Sequence, residues 1–167
     1  MEPQYEDAGW DERQRHETPT ERLDRNWADL LQELRVTQTG VQVLTGFLLT
    51  LPFQARFAQL SAAQQDLYLV TVGLAVAATS FLIAPVALHR LLFRRHARRL
   101  IVAVAHRLAL TGIVLFGLST VGAVLFIFIV VRGTVTGIVA GAVVLGLLLL
   151  LWLVMPLYLR GAPIRDE

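Results

Sequence analysis

The stretch from His89 to Arg107, HRLLFRRHARRLIVAVAHR, constrains this chain more than any other. It holds six arginines (Arg90, Arg94, Arg95, Arg98, Arg99, Arg107), three of the four histidines and no acid, and long uncharged runs flank it on both sides. Positive charge between two oily segments marks a loop retained on the cytoplasmic face of a membrane. That assignment orients every other segment. The expected fold is all-α: a membrane four-helix bundle with an N-terminal amphipathic helix that is cytoplasmic or interfacial.

Composition agrees with this reading. Of 167 residues, 55% are hydrophobic and 17% charged, where a soluble domain carries about 25% charged residues. Ten of the thirteen acids fall before residue 36, beside five arginines, so that part is formally −5 and the remainder +7. The basic loop is flanked by oil instead of a folded polar domain, which argues against a nucleic-acid interface. Cysteine is absent, so disulfides, thiolate chemistry and cysteine-based zinc sites are excluded. The polar, acidic N-terminus does not read as a signal peptide.

In chain order, residues 1–17 read as a disordered acidic tail. Thr18-Pro19-Thr20-Glu21 is a helix start, with Thr18 as cap, Pro19 at the first helical position and Glu21 placed for a capping box. Leu23, Trp27, Leu30, Leu31 and Leu34 then share one face, giving an amphipathic interfacial helix over 18–35. The transmembrane domain is expected over 36–159, with spans at about 36–55, 67–88, 108–131 and 134–158 and a short C-terminal tail over 160–167. Pro52 should kink or end the first span. Pro85 should bend the second into the basic loop. Both termini are then cytoplasmic, in a multi-pass protein of the plasma membrane.

Three groups of residues are candidates for a role. Gln38, Gln42 and Thr45 continue the face of Arg35 at helical spacing, and polar groups at membrane depth face protein or water. That stripe either makes interhelical hydrogen bonds or lines a solute path. Arg90, Arg94, Arg95, Arg98, Arg99 and Arg107 are expected to contact lipid phosphates, in a short interfacial helix or helical hairpin. Gly112, Gly117 and Gly122, at a spacing of five, and Gly133, Gly137 and Gly141, at a spacing of four, are expected to let helices pack closely. Tyr68, Trp152, Tyr158 and Arg160 read as interface markers.

Glu17 to Phe57, ETPTERLDRNWADLLQELRVTQTGVQVLTGFLLTLPFQARF, followed by APVALHRLLFRRH and AHRLAL, resembles an uncharacterised bacterial integral-membrane family of unknown function. The resemblance covers residues 17–131 and implies four spans. Some relatives bear an automatic sodium:proton antiporter label. The resemblance carries no catalytic or binding residue.

The chemistry points away from an enzyme. Ser61, Ser80 and Ser119 are the only serines, and none lies in a Gly-x-Ser-x-Gly elbow. No catalytic, cofactor-binding or metal site is expected. His89, His96 and His106 could hold a metal if the loop folds on itself, but no nearby acid orients them. An antiporter usually needs a carboxylate within the bilayer, and between residues 36 and 159 the only acid is Asp66, at a loop edge. Two readings stay open: a non-enzymatic structural, accessory or regulatory bundle, and a small transporter or channel-like protein such as a cation/proton antiporter or a subunit of one. The expected partners are membrane lipids and a homo-oligomer or another membrane protein, with no nucleic acid and no cofactor.

Overall fold

The structure is a computed structural model that describes residues 19–92 and 98–161. The acidic tail over 1–17, together with Arg94, Arg95 and His96, lies outside the described residues. Among those residues there is no strand. Four long helices follow one another: α1 (Pro19–Thr50), α2 (Ala62–Leu92), α3 (Arg98–Arg132) and α4 (Thr134–Leu149). A π-helical turn over Leu150–Val154 leads on into α5, Met155–Gly161. Ala62–Leu88, Ala103–Arg132 and Thr134–Leu159 are each long and apolar enough to cross a membrane.

The segments expected over 18–35 and 36–55 form one continuous helix, α1, with no break at Arg35. One seam explains the continuity. Leu34, Val41 and Leu48 are buried at a spacing of seven, and Leu30 and Leu44 pack beside them. A seven-residue repeat of this kind keeps one side of a helix against its neighbours over many turns. Pro52 has no amide for a further helical bond, and α1 gives way to two 3-10 turns over Leu51–Phe53 and Ala55–Gln59. The described parts of the basic stretch belong to the end of α2, which continues to Leu92, and to the start of α3, which begins at Arg98.

α2 and α3 run antiparallel in a constant register. A Cβ on Gly112 would lie 2.7 Å from Cγ of Leu82, and one on Gly122 2.5 Å from Oγ1 of Thr71. The rings of Tyr68 and Phe126 lie 5.8 Å apart. The glycines at a spacing of five therefore serve two neighbours. Gly112 and Gly122 admit α2, whereas Gly117 faces Trp152 and Leu148 at the far end of α4. Gly40 of α1 lies against Phe116, so α3 contacts all three other long helices.

Gly133 makes the turn from α3 to α4 with a φ of 96°, a left-handed conformation that only glycine adopts readily. Gly137 and Gly141 are buried against Leu125 and Ile129 of α3. Most of the rest of α4 is exposed and apolar, as at Val135, Ile138, Val139 and Val143. Its π-helical turn, in which the Met155 amide donates to the Leu150 carbonyl, precedes Pro156 and gives the proline ring room.

Gly137→Leu should lower the thermal midpoint in detergent, by about 1–3 kcal/mol of stability. A Cβ at Gly137 would sit 2.9 Å from the backbone oxygen of Leu125, which cannot swing aside. Gly73→Ala, with nothing within 4 Å, should be neutral or stabilising when measured the same way.

Candidate functional site

The polar stripe of α1 does not act as one surface. Gln38 and Thr45 lean toward the buried seam and are half-buried, whereas Arg35 and Gln42 are exposed. Gln38 donates through Nε2 to the backbone carbonyl of Leu82 on α2, at 2.9 Å. That carbonyl lies in the turn of α2 that Pro85 disrupts, one residue after the carbonyl Pro85 leaves without its helical amide. Thr37 and Thr39 bond back within α1, to the carbonyls of Glu33 and Arg35. The Oγ1 of Thr45 is buried without a hydrogen-bond partner.

A second hydrogen bond between α1 and α2 was not expected from the sequence. Tyr68, read there as an interface marker, is 4% exposed. Its hydroxyl donates to the carbonyl of Leu48 at 3.0 Å, and Phe57 packs edge-on against its ring with centroids 5.0 Å apart. Leu48 lies four residues before Pro52, so its carbonyl is the one that loses a helical donor there. That missing donor was visible in the sequence, but nothing in the sequence named Tyr68 as the replacement. Ser119, also buried, donates to the Thr71 carbonyl at 3.1 Å and joins α3 to α2. Each of these three side chains is bonded to a backbone carbonyl of a neighbouring helix.

A family model, that of the family of unknown function DUF6328, matches residues 16–156. The chain belongs to that family. No curated protein and no solved structure matches it. The DUF6328 match extends beyond residues 17–131, where the sequence resemblance lay, and takes in the glycine-rich α4.

The remaining candidates of this DUF6328 member separate by position. Arg90 and Arg107 are exposed, near the ends of α2 and α3. Arg98 and Arg99 lie in the first turn of α3, and Arg94 and Arg95 are outside the described residues. His106 is exposed on α3. Among the described residues no three histidines or acids are grouped to hold a metal ion. Asp29, Gln32, Glu33, Val36 and Thr37 line an open depression on the outer side of α1.

Tyr68→Phe should destabilise the bundle by about 1 kcal/mol, because the Leu48 carbonyl loses its donor while staying buried. Thr45→Val should be neutral or stabilising, since it removes an unpartnered hydroxyl and keeps the shape. Thermal unfolding in one detergent, with both variants beside the parent, measures the two effects.

Proposed function

We propose that this chain is a multi-pass protein of the bacterial plasma membrane with four crossing helices and both termini cytoplasmic. On this reading it performs no catalytic step and acts as a structural, accessory or regulatory bundle, through contacts with other membrane proteins or with copies of itself. The fourth crossing rests on α1, which is less apolar than the other three helices. The Gln38 bond to Leu82 and the Tyr68 bond to Leu48 fasten α1 alongside the same part of α2 that is apolar enough to span. Residues 38–48 of α1 are thereby fastened alongside a helix long enough to span, which supports placing that part of α1 in the same slab.

The observation that carries the non-transporting reading is the use made of the interior polar groups. Gln38, Tyr68 and Ser119 each bond a backbone carbonyl of a neighbouring helix, which is how polar side chains strengthen helix packing in lipid. Asp66, in the first turns of α2, is the only acid of α2, α3 and α4, so no carboxylate lies deeper in those helices to exchange protons for cations. A second reading, a transport path completed by a partner subunit, is favoured by Gln42 and Arg35, which stand exposed beside the seam.

Two experiments test these readings. Because the chain has no cysteine, single cysteines placed at Ser61 and Asp29 can be labelled in intact cells with an impermeant maleimide. Labelling at Ser61→Cys and protection at Asp29→Cys is the expected result; reaction at Asp29→Cys overturns the topology. Purified protein in liposomes should leave cation and proton gradients intact. A flux that Gln38→Leu and Gln42→Leu both abolish would replace the first reading with the second.

A further inference from the structure

We infer that the outward face of α1 pairs two copies of this chain, parallel and side by side about a two-fold axis along the membrane normal. The inference rests on the proposed membrane placement of α1 and names the surface through which copies meet.

α1 repeats every seven residues on both of its sides. The Leu34–Val41–Leu48 seam is used up within the bundle. On the far side three adjacent rows keep the same spacing: Arg35 with Gln42, Thr39 with Gly46, and Val36 with Val43. All six are exposed, Val36 by 73% and Val43 by 70%. A period of seven keeps a face aligned with one partner helix over several turns, and among the described residues no helix covers this face. Its middle row is small. A Cβ on Gly46 would meet nothing within 4 Å, and the Thr39 hydroxyl bonds back to the Arg35 carbonyl. A second backbone can therefore come close.

Lipid covers this face poorly. Val41 shares a buried cluster with Ala78 of α2, inside the apolar span Ala62–Leu88. Gln42 stands exposed at that depth, and among the described residues its carboxamide has no hydrogen-bond partner. A polar group so placed favours protein over hydrocarbon. The exposed surface of α4 makes no such demand, because it is almost wholly apolar and lipid serves it as well as protein does.

Symmetry and charge select a second copy as the occupant. Copies of one chain share one orientation in a membrane, so their α1 helices run parallel. In a two-fold pair, each residue i that meets j is answered by j meeting i. With Thr39 and Gly46 nearest the axis, the Arg35–Gln42 row of one copy lies against the Val36–Val43 side of the other. The Gln42 amide then donates to the Thr39 hydroxyl oxygen of the second copy, as Gln38 donates to the Leu82 carbonyl within one chain. Side chains on a helix lean toward its N-terminus, which carries the Arg35 guanidinium to the level of Asp29 and Gln32. Those two, with Glu33, Val36 and Thr37, line the open depression beside the Val36 row. Among the described residues neither Asp29 nor Arg35 forms an ion pair within the chain, so the pair can form twice between copies.

The full-length chain, which has no cysteine of its own, tests the pairing. Oxidation in native membranes should link Thr39→Cys or Gly46→Cys into disulfide dimers, and should leave Val143→Cys, on the exposed face of α4, unlinked. Energy transfer between donor- and acceptor-labelled Ser61→Cys copies, followed as lipid is added to liposomes, gives the dimerisation constant. Gln42→Leu should lower it roughly five- to tenfold, the loss of two interhelical hydrogen bonds. Gly46→Leu has room within one copy, so it should abolish the dimer and leave the helix content unchanged. Arg35→Asp should weaken the dimer, and adding Asp29→Arg should restore it. Positions six apart are not neighbours on one helix, so that rescue acts between copies. Cross-linking at Val143→Cys equal to that at Thr39→Cys, or a dimer indifferent to Gln42→Leu and Gly46→Leu, overturns the inference. A monomer at every dilution, with Asp29→Cys protected from an impermeant maleimide, sinks the pairing and leaves the topology standing; reaction at Asp29→Cys sinks both.

Discussion

A backbone carbonyl in an apolar slab must find a donor, and proline takes one away. This chain meets that constraint directly at Pro52, and places a second side-chain donor one residue from the carbonyl left open by Pro85. Pro52 leaves the Leu48 carbonyl open and Tyr68 closes it; beside the turn disrupted by Pro85, Gln38 bonds Leu82. The donors come from opposite helices, α2 at one end and α1 at the other. The pair therefore fixes rotation and register together, which apolar contact alone would leave free to slide. An unpaired carbonyl in such surroundings costs several kcal/mol, and membrane helices tolerate proline where neighbours restore the missing partner.

The same pairing makes α3 the hub of the bundle. With α1 held against α2, the Leu34–Val41–Leu48 seam can meet α3 only on the side where Phe116 covers Gly40. That leaves the Gly112 and Gly122 side of α3 to α2 and the Gly117 side to the end of α4. Small residues rotated about α3 in this way let three helices approach one, without any of them displacing another. The cost is that α4 touches the bundle along a single narrow line. It is the helix whose surface most needs an apolar surrounding, since its exposed residues form an almost unbroken apolar sleeve.

Much of this was legible in the sequence. Charge-free runs gave the helices, the Arg132-Gly133-Thr134 turn gave the α3–α4 hairpin, and five of the six glycines singled out lie at close approaches, while Gly133, with nothing within 4 Å, serves the turn and not packing. Pro52 signalled the end of α1. The continuity of α1 through Arg35 was not legible in the same way. Composition changes from charged to apolar there, and that change looks like a boundary between elements, whereas the buried heptad seam ignores it. The stripe from Arg35 to Thr45 was open between interhelical hydrogen bonds and a solute path, and Gln38 makes such a bond; helical spacing says that residues share a face, but not where a neighbour's edge divides that face. Gln38 and Thr45 fall on the covered side of that edge and Arg35 and Gln42 on the open side. Tyr68 was hidden because an aromatic near the end of an apolar run is more often an interface anchor; its hydrogen bond depends on a proline sixteen residues earlier, just past the end of α1.

Polarity in α1 then has a physical reason that needs no solute. A helix made only of leucine and valine would be as content with lipid on every side as with α2 and α3, because lipid supplies no hydrophobic drive for helices to associate. The side chains that make α1 less apolar than its neighbours include one of those that hold it in place. Under the proposed topology, replacing the amide of Gln38 by a hydrocarbon would make α1 a better solute for the bilayer and a poorer partner for the bundle. On the proposed topology α2, α3 and α4 have the composition to enter a membrane by themselves, and α1 is the helix whose crossing relies on what it finds there. The least hydrophobic helix is therefore the one most dependent on tertiary structure, and the two carbonyls beside the prolines are where that dependence is concentrated.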